Sequence, residues 1–378
     1  MEQPLPPYGA CLLGSINLTK FVTNPFTEQA SFDWDKFTKV VEIFTRMLDN
    51  VVELNGLPLD QQRQELVNKR RHGMGYLGLG SALTMLCIPY GSKEAIGFTS
   101  EVTANLAITG YKTGISLAKI KGSAPILEAE YTITPAMIHQ RPELISDGWN
   151  VGDKVKGKVL MGRYSKYIAK LGLGDEIATH GCRFSHATSI APTGSIALSV
   201  GNNASNGIEP SFSHTYKRNV IVEGKKTKEQ MDVYSYEALM YASIYGKDAP
   251  LPDYFITADH LTPEQHVDMQ AAAQEWVDSS ISKTCNIPTD FPFDKFKDIY
   301  LYAYRKGLKG FTTFRFNPEA FSGVLVNKSD LDNTKYQFTL EDGSVVEVSG
   351  SDTIEYDGET HVAANLFDAL KEGYYGKF

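Results

Sequence analysis

The chain has 378 residues, with 37 lysines and arginines against 45 aspartates and glutamates, for a net charge of −8. That length supports a large core with a small appendage. The acidic balance excludes general nucleic-acid binding, so any nucleotide has to be held at a local phosphate site. No run approaches the ~18 apolar residues of a membrane span, and the N-terminus does not read as a signal peptide. Four scattered cysteines (Cys11, Cys87, Cys182, Cys285) without a CxxC pair fit a reducing, cytoplasmic setting.

Taken in chain order, the pattern alternates extended and helical stretches, which predicts an α/β fold. Glu2 is followed by Pro4, Pro6 and Pro7, which restrict φ and make a stiff extended connector. Cys11 then opens an apolar strand through Leu18. Phe37, Val40, Val41, Phe44, Met47, Leu48, Val51 and Val52 recur at helical spacing and predict a helix over 34–54, stopped by Gly56 and Pro58. An extended or turn-like Gly-rich stretch is expected over 71–80, then a long helix over 92–121 closed by Gly122. Residues 128–173 are mixed. A second apolar strand, 186–191, runs into Pro192-Thr-Gly-Ser-Ile196, with Gly207-Ile-Glu-Pro210 behind it and an extended run over 216–222.

Thr262-Pro-Glu-Gln265 reads as a capping box with Pro in the first turn, opening a helix that carries Met269, Ala272, Ala273, Trp276 and Val277. A helix over 294–306 and a strand over 311–316 complete the main part. Residues 327–333 are linker-like. Alternation over 336–348 around Asp342-Gly343 predicts a hairpin, and a short helix is expected over 363–372. The expected division is 1–325 and 326–378.

The opening, Met1-Glu-Gln-Pro-Leu-Pro-Pro-Tyr-Gly-Ala-Cys11, resembles ribonucleotide reductase catalytic subunits, above all the adenosylcobalamin-dependent class. There an Asn-Pro-Cys-Gly-Glu motif precedes a Pro-rich stretch and a Gly-Ala-Cys strand. Glu2 matches the glutamate of the motif and Cys11 the redox cysteine of the strand, while Met1 stands where the family has Gly. The resemblance runs from Glu2 to about Phe316. It implies the second five-stranded half of a ten-stranded α/β barrel, with a small C-terminal α+β appendage. The chain is thereby expected to be the C-terminal part of a split or truncated reductase, partnered by an N-terminal half.

By the same resemblance, ribonucleotides are reduced through a thiyl radical. Glu2 takes the proton of the 3′-hydroxyl, and Cys11 is one of the two thiols that deliver electrons at C2′. Read alone, Glu2 is a solvated acid and Cys11 a small buried thiol; their spacing and the proline link argue otherwise. Pro192, Thr193, Gly194, Ser195 and Ile196 end a strand and open a helix, an arrangement that presents N–H groups to an anion. In the family such a segment holds the substrate di- or triphosphate.

The strand 311–316 has no tyrosine, which disfavours radical delivery from a second metal subunit and favours adenosylcobalamin. Residues 372–378 hold no cysteine, so a thioredoxin- or glutaredoxin-like dithiol is expected to reduce the site directly. The alternative is a non-catalytic remnant or a structural partner of an intact reductase.

Two other motifs are set aside. Gly73-Met-Gly-Tyr-Leu-Gly78 matches GxGxxG, but Asn68-Lys-Arg-Arg-His72 stands where a dinucleotide site needs an apolar strand. Tight packing of a strand is the better account. His180, Cys182 and His186 lack a fourth ligand for zinc, so no metal site is expected.

Overall fold

The computed structural model describes residues 2–10, 12–288, 291–315, 325–326, 332, 334–339 and 343–377. Cys11, Phe316, Asp342 and all but one residue of the 327–333 linker lie outside them.

Parallel strand contacts follow chain order. Leu13–Asn17 pairs with Gly73–Leu77, and Met74 bridges Thr188. Ile190 bridges Ile281, just before Thr284–Ile287, which pairs with Thr312–Arg315. The expected second strand is therefore present as bridged extended backbone at 188 and 190. No closed barrel forms among the described residues.

Helices fill the connections. Trp34–Leu54 is capped by Asp33, whose side chain accepts from the Lys36 N–H, and it buries Phe37, Val41, Leu48 and Val52. Lys93–Lys121 starts at the Ser92 cap and ends at Gly122. These helices cover one face of the strands, where Ile16, Met74, Tyr76, Ile190 and Ile281 join Val41, Leu48, Leu106 and Met269 in the main core.

Several expectations change. Helix Asp60–Lys69 was not anticipated, because only Leu66 of its ten residues is buried and no apolar stripe marks it. The extended stretch expected through Gly80 ends at Leu77, and Leu79–Met85 is helical. The capping box is present, with Thr262 and Gln265 bonding reciprocally. Its helix stops at Gln274, however, so Trp276 and Val277 lie beyond the end. The tail carries two hairpins, Lys335–Thr339 with Val345–Ser349 and Thr353–Tyr356 with Glu359–Val362, then helix Ala363–Lys371. It sits against the turn of the Thr215–Val220/Glu229–Tyr234 hairpin through Lys226–Asp357 (2.9 Å) and the Asn365 amide on the Lys228 carbonyl (2.8 Å).

A buried ion cluster joins the helix ends. The Asp49 carboxylate is fully buried and is met by Arg70 (2.5 Å), Arg183 (3.1 Å) and Lys121 (3.3 Å). Burial pushes its carboxyl upward, but hydrogen bonding and charge from Arg70, the Arg183 charge and Lys121 outweigh that and hold it below its ordinary value. His72 follows Arg70, 1 % exposed, with its ring on Phe184 at 4.4 Å.

Burial, with the Arg70 and Arg183 charges assisting and Asp49 opposing, lowers the His72 pKa to about 3. Burial and the Lys283 charge lower that of His266 to about 3. Both histidines are neutral when folded and take up a proton on unfolding. Stability is therefore full above pH 6.5 and falls as pH drops from 6.5 toward 3, by about 1.4 kcal/mol per pH unit for each histidine. Calorimetric melting at pH 7.5, 6 and 5 should show a falling midpoint; an unchanged midpoint would contradict the neutral assignment.

Candidate functional site

The Pro-rich opening is held by both backbone and side chain. The Ser280 N–H donates to the Glu2 carbonyl (3.0 Å). The Gln3 amide donates to the His72 carbonyl and accepts from the Ser279 hydroxyl, each at 3.4 Å. A turn closed by the Gly9 N–H on the Pro6 carbonyl (3.0 Å) returns the chain toward the first strand. The Leu12 carbonyl accepts from the Gly73 N–H (2.8 Å). Glu2 is half-buried, at the entry to the strand neighbours 73–77, 187–190 and 279–282.

The strand register explains the Gly-rich motif. Side chains alternate, so the face opposite the helices carries Gly73, Gly75, Ser189 and Ser280. A Cβ on Gly73 would stand 2.7 Å from the Gln3 amide nitrogen and 2.8 Å from the Ser189 hydroxyl. One on Gly75 would stand 2.3 Å from the Ser189 carbonyl oxygen. The glycines let the next strand and the Glu2–Gln3 segment approach, which agrees with packing and not with a dinucleotide loop. The Ser189 and Ser280 hydroxyls are buried, without a hydrogen-bond partner among the described residues.

The other end of the 187–191 segment leads into the candidate phosphate site. Thr193 takes a left-handed conformation (φ 57°, ψ 18°) and caps helix Gly194–Ser199. Its hydroxyl oxygen accepts from the Gly207 N–H (2.8 Å), leaving its own proton to donate. The N–H groups of Gly194, Ser195 and Ile196 occupy the first turn, where a helix offers no internal acceptor. Ser195 is exposed beside them, whereas Thr193 is buried. Thr193 lies four positions beyond Ser189, on the order of 13 Å of extended chain. The same strand thus leads from the seat of the Glu2–Gln3 segment to Pro192–Ile196.

The Asn-rich loop behind Thr193 is stitched to the start of helix Leu79–Met85. Gly78 donates to the Ser205 carbonyl (2.7 Å), and Ser81 and Ser205 exchange backbone-to-hydroxyl bonds at 3.1 and 2.9 Å. Below them Glu237, fully buried, accepts from Ser81 (2.6 Å) and Ser211 (2.5 Å) and lies 3.2 Å from His214. Burial raises its carboxyl, but His214 and the two hydroxyls outweigh that and lower it. The sequence carried no motif for Ser81, Ser205 or Glu237, since these residues meet only in the fold.

Of the residues considered for metal, one is a thiol. Cys182 is fully buried, and burial raises its pKa to about 12. Among the described residues no three His, Cys, Asp or Glu side chains gather as a metal cluster, and no helix is long and apolar enough to cross a membrane.

Comparison with known proteins matches residues 1–314 to the family model described as ribonucleotide reductase, barrel domain. A vitamin B12-dependent ribonucleoside-diphosphate reductase of Thermoplasma acidophilum is 28 % identical over 83 % of this chain and 36 % of its own length. One from Mycobacterium tuberculosis is 26 % identical over 83 % of this chain and 40 % of its own. A ribonucleoside-diphosphate reductase subunit alpha of Chlamydia pneumoniae is 29 % identical over 86 % of this chain and 31 % of its own. The chain thus spans roughly a third to two fifths of these relatives' length.

Proposed function

The chain belongs to the ribonucleotide reductase barrel-domain family, and from that premise we propose that it supplies the second half of a catalytic barrel that reduces ribonucleotides to deoxyribonucleotides. The observation that carries this reading is the shared strand 187–191, with the Glu2–Gln3 seat beside Ser189 and the helix-opening segment Pro192–Ile196 at its end. The five parallel strand neighbours form the half-barrel, and the tail beyond residue 325 is an accessory unit. The rest of the barrel contributes the radical cysteine and the second thiol.

In this mechanism the segment Pro192–Ile196 holds the substrate di- or triphosphate with first-turn N–H groups and the Ser195 and Thr193 hydroxyls. Glu2 accepts the 3′-hydroxyl proton once the 3′-hydrogen has been taken by the thiyl radical. The 2′-hydroxyl leaves as water. Cys11 and its partner thiol give up two electrons and close a disulfide, which a thioredoxin- or glutaredoxin-like protein reduces in the cytoplasm. Adenosylcobalamin, when bound, supplies the radical chemistry. The residues present fit local generation. Strand Thr312–Arg315 presents no phenol, and nearby Tyr300 and Tyr302 are bonded to Thr313 (3.0 Å) and Asp268 (2.7 Å) on the helix side.

The test is assembly with the remaining part of the catalytic subunit, then assay of deoxyribonucleotide formation with and without adenosylcobalamin. Cobalamin-dependent turnover is expected. A stable assembly with no turnover under any cofactor would sink the catalytic reading and leave a structural partner in its place.

A further inference from the structure

The segment Gly207-Ile-Glu-Pro210 contains a carboxylate that the mechanism does not use. Glu209 reaches away from the loop to the start of strand Thr284–Ile287. It accepts from the Thr284 N–H (2.5 Å) and from the Lys283 ammonium (2.6 Å). Lys283 is almost fully buried, at 3 % exposed. Its other contacts are the His266 ring nitrogen Nδ1 (2.9 Å) and the Thr284 carbonyl (3.1 Å), so its three protons face three acceptors. His266 is neutral, with Nε2 turned to the Ala258 carbonyl (3.3 Å), which leaves Nδ1 free to accept. Glu209 is thus the sole carboxylate bonded to this ammonium among the described residues.

The loop hangs from this pair. Ile208 is buried, and its carbonyl accepts from Tyr90 (2.6 Å). Gly207 has φ +50°, and a Cβ there would stand 2.5 Å from the Ala191 carbonyl. Its N–H is the one that Thr193 accepts. Thr193 in turn sets the direction of the first turn of Gly194–Ser199.

We propose that Lys283 and Glu209 are positioning residues that hold Gly207 against Thr193 and so aim the N–H groups of Gly194–Ile196 at the substrate phosphates. This rests on the reading of Pro192–Ile196 as a phosphate site. The pair touches no substrate. Its effect is on the geometry of the donors and is confined to ligands that carry phosphate.

The experiment measures binding of inorganic pyrophosphate, a ribonucleoside diphosphate and the matching nucleoside to the full chain and to Glu209→Gln, Lys283→Met and the double variant. Each single variant is expected to bind the two phosphate ligands about tenfold more weakly, the loss usual for one hydrogen bond to a charged group. The ratio of diphosphate to nucleoside affinity falls with it. The double variant leaves no unpaired buried charge, so its thermal stability should recover while its phosphate affinity stays low.

A merely structural pair would give the reverse, with phosphate affinity restored in the double variant along with stability; that result would overturn the proposal. So would folded single variants with unchanged pyrophosphate affinity. A wild-type chain that binds neither phosphate ligand would instead overturn the phosphate site itself.

Discussion

Replacing Glu2 by glutamine in the assembled reductase is expected to lower deoxyribonucleotide formation by about 10²–10⁴-fold, the usual worth of a positioned general base. The substitution keeps the size of the side chain and its reach, and removes only the ability to take a proton. Folding should survive, because the segment is anchored elsewhere. The Glu2 carbonyl is bonded to Ser280, and Gln3 is bonded to His72 and Ser279. None of these contacts uses the Glu2 carboxylate. Binding of a ribonucleoside diphosphate should likewise persist, since the phosphate donors proposed above are on Gly194–Ile196. The loss should therefore fall on kcat with little change in KM. A Glu2→Gln enzyme that turns over within a few-fold of wild type would remove Glu2 from the mechanism, and with it the alignment of this segment to the family's motif.

The parts of this molecule that were legible beforehand are those in which local signals agree with the fold. Trp34–Leu54 announces itself by apolar spacing with Gly56 beyond its end, and Lys93–Lys121 by Ser92 and Gly122 at its ends. The Thr262–Gln265 box marks its helix in the same way, and the alternation over 336–348 marks the paired strands Lys335–Thr339 and Val345–Ser349. Helix Asp60–Lys69 carries no such signal, because only Leu66 of its residues is buried and no apolar face marks it; Arg70, just past its end, joins the ion cluster.

The proposed site reads in the sequence as an order of motifs, Glu2 then Cys11 then Pro192–Ile196, and not as a set of contacts. Nothing at positions 279 and 280 signals that they seat residues 2 and 3, more than 270 positions away along the chain. Glu209 and Glu237 read as ordinary acids until Lys283, Ser81, Ser211 and His214 are brought to them by packing.

The largest stability effect is expected at Asp49. Converting it to alanine should cost about 3–5 kcal/mol, the loss found when one partner of a buried ion pair is removed. The carboxylate is wholly buried and faces Arg70, Arg183 and Lys121, whose side chains are 4 %, 10 % and 33 % exposed. Without it, two guanidinium groups face each other with little water. Glu53 still reaches Arg70 at 2.8 Å and Arg183 at 2.7 Å, but it is half-exposed and so screens them only in part. Asp49→Asn keeps the shape and some hydrogen bonds, so its loss should fall between wild type and Asp49→Ala.

The damage should also spread along the chain. Arg70 has a left-handed backbone (φ 49°) two residues before His72 and three before the Gly73–Leu77 strand, and Arg183 binds the carbonyls of Lys121 and Gly122 (3.2 and 3.1 Å). Loosening this cluster releases the strand that receives Gln3, so pH 7 urea unfolding and turnover should decline together in Asp49→Ala. A loss below about 1 kcal/mol, the range of exposed ion pairs, would show that water reaches these charges and that the strand entry is held by apolar packing alone.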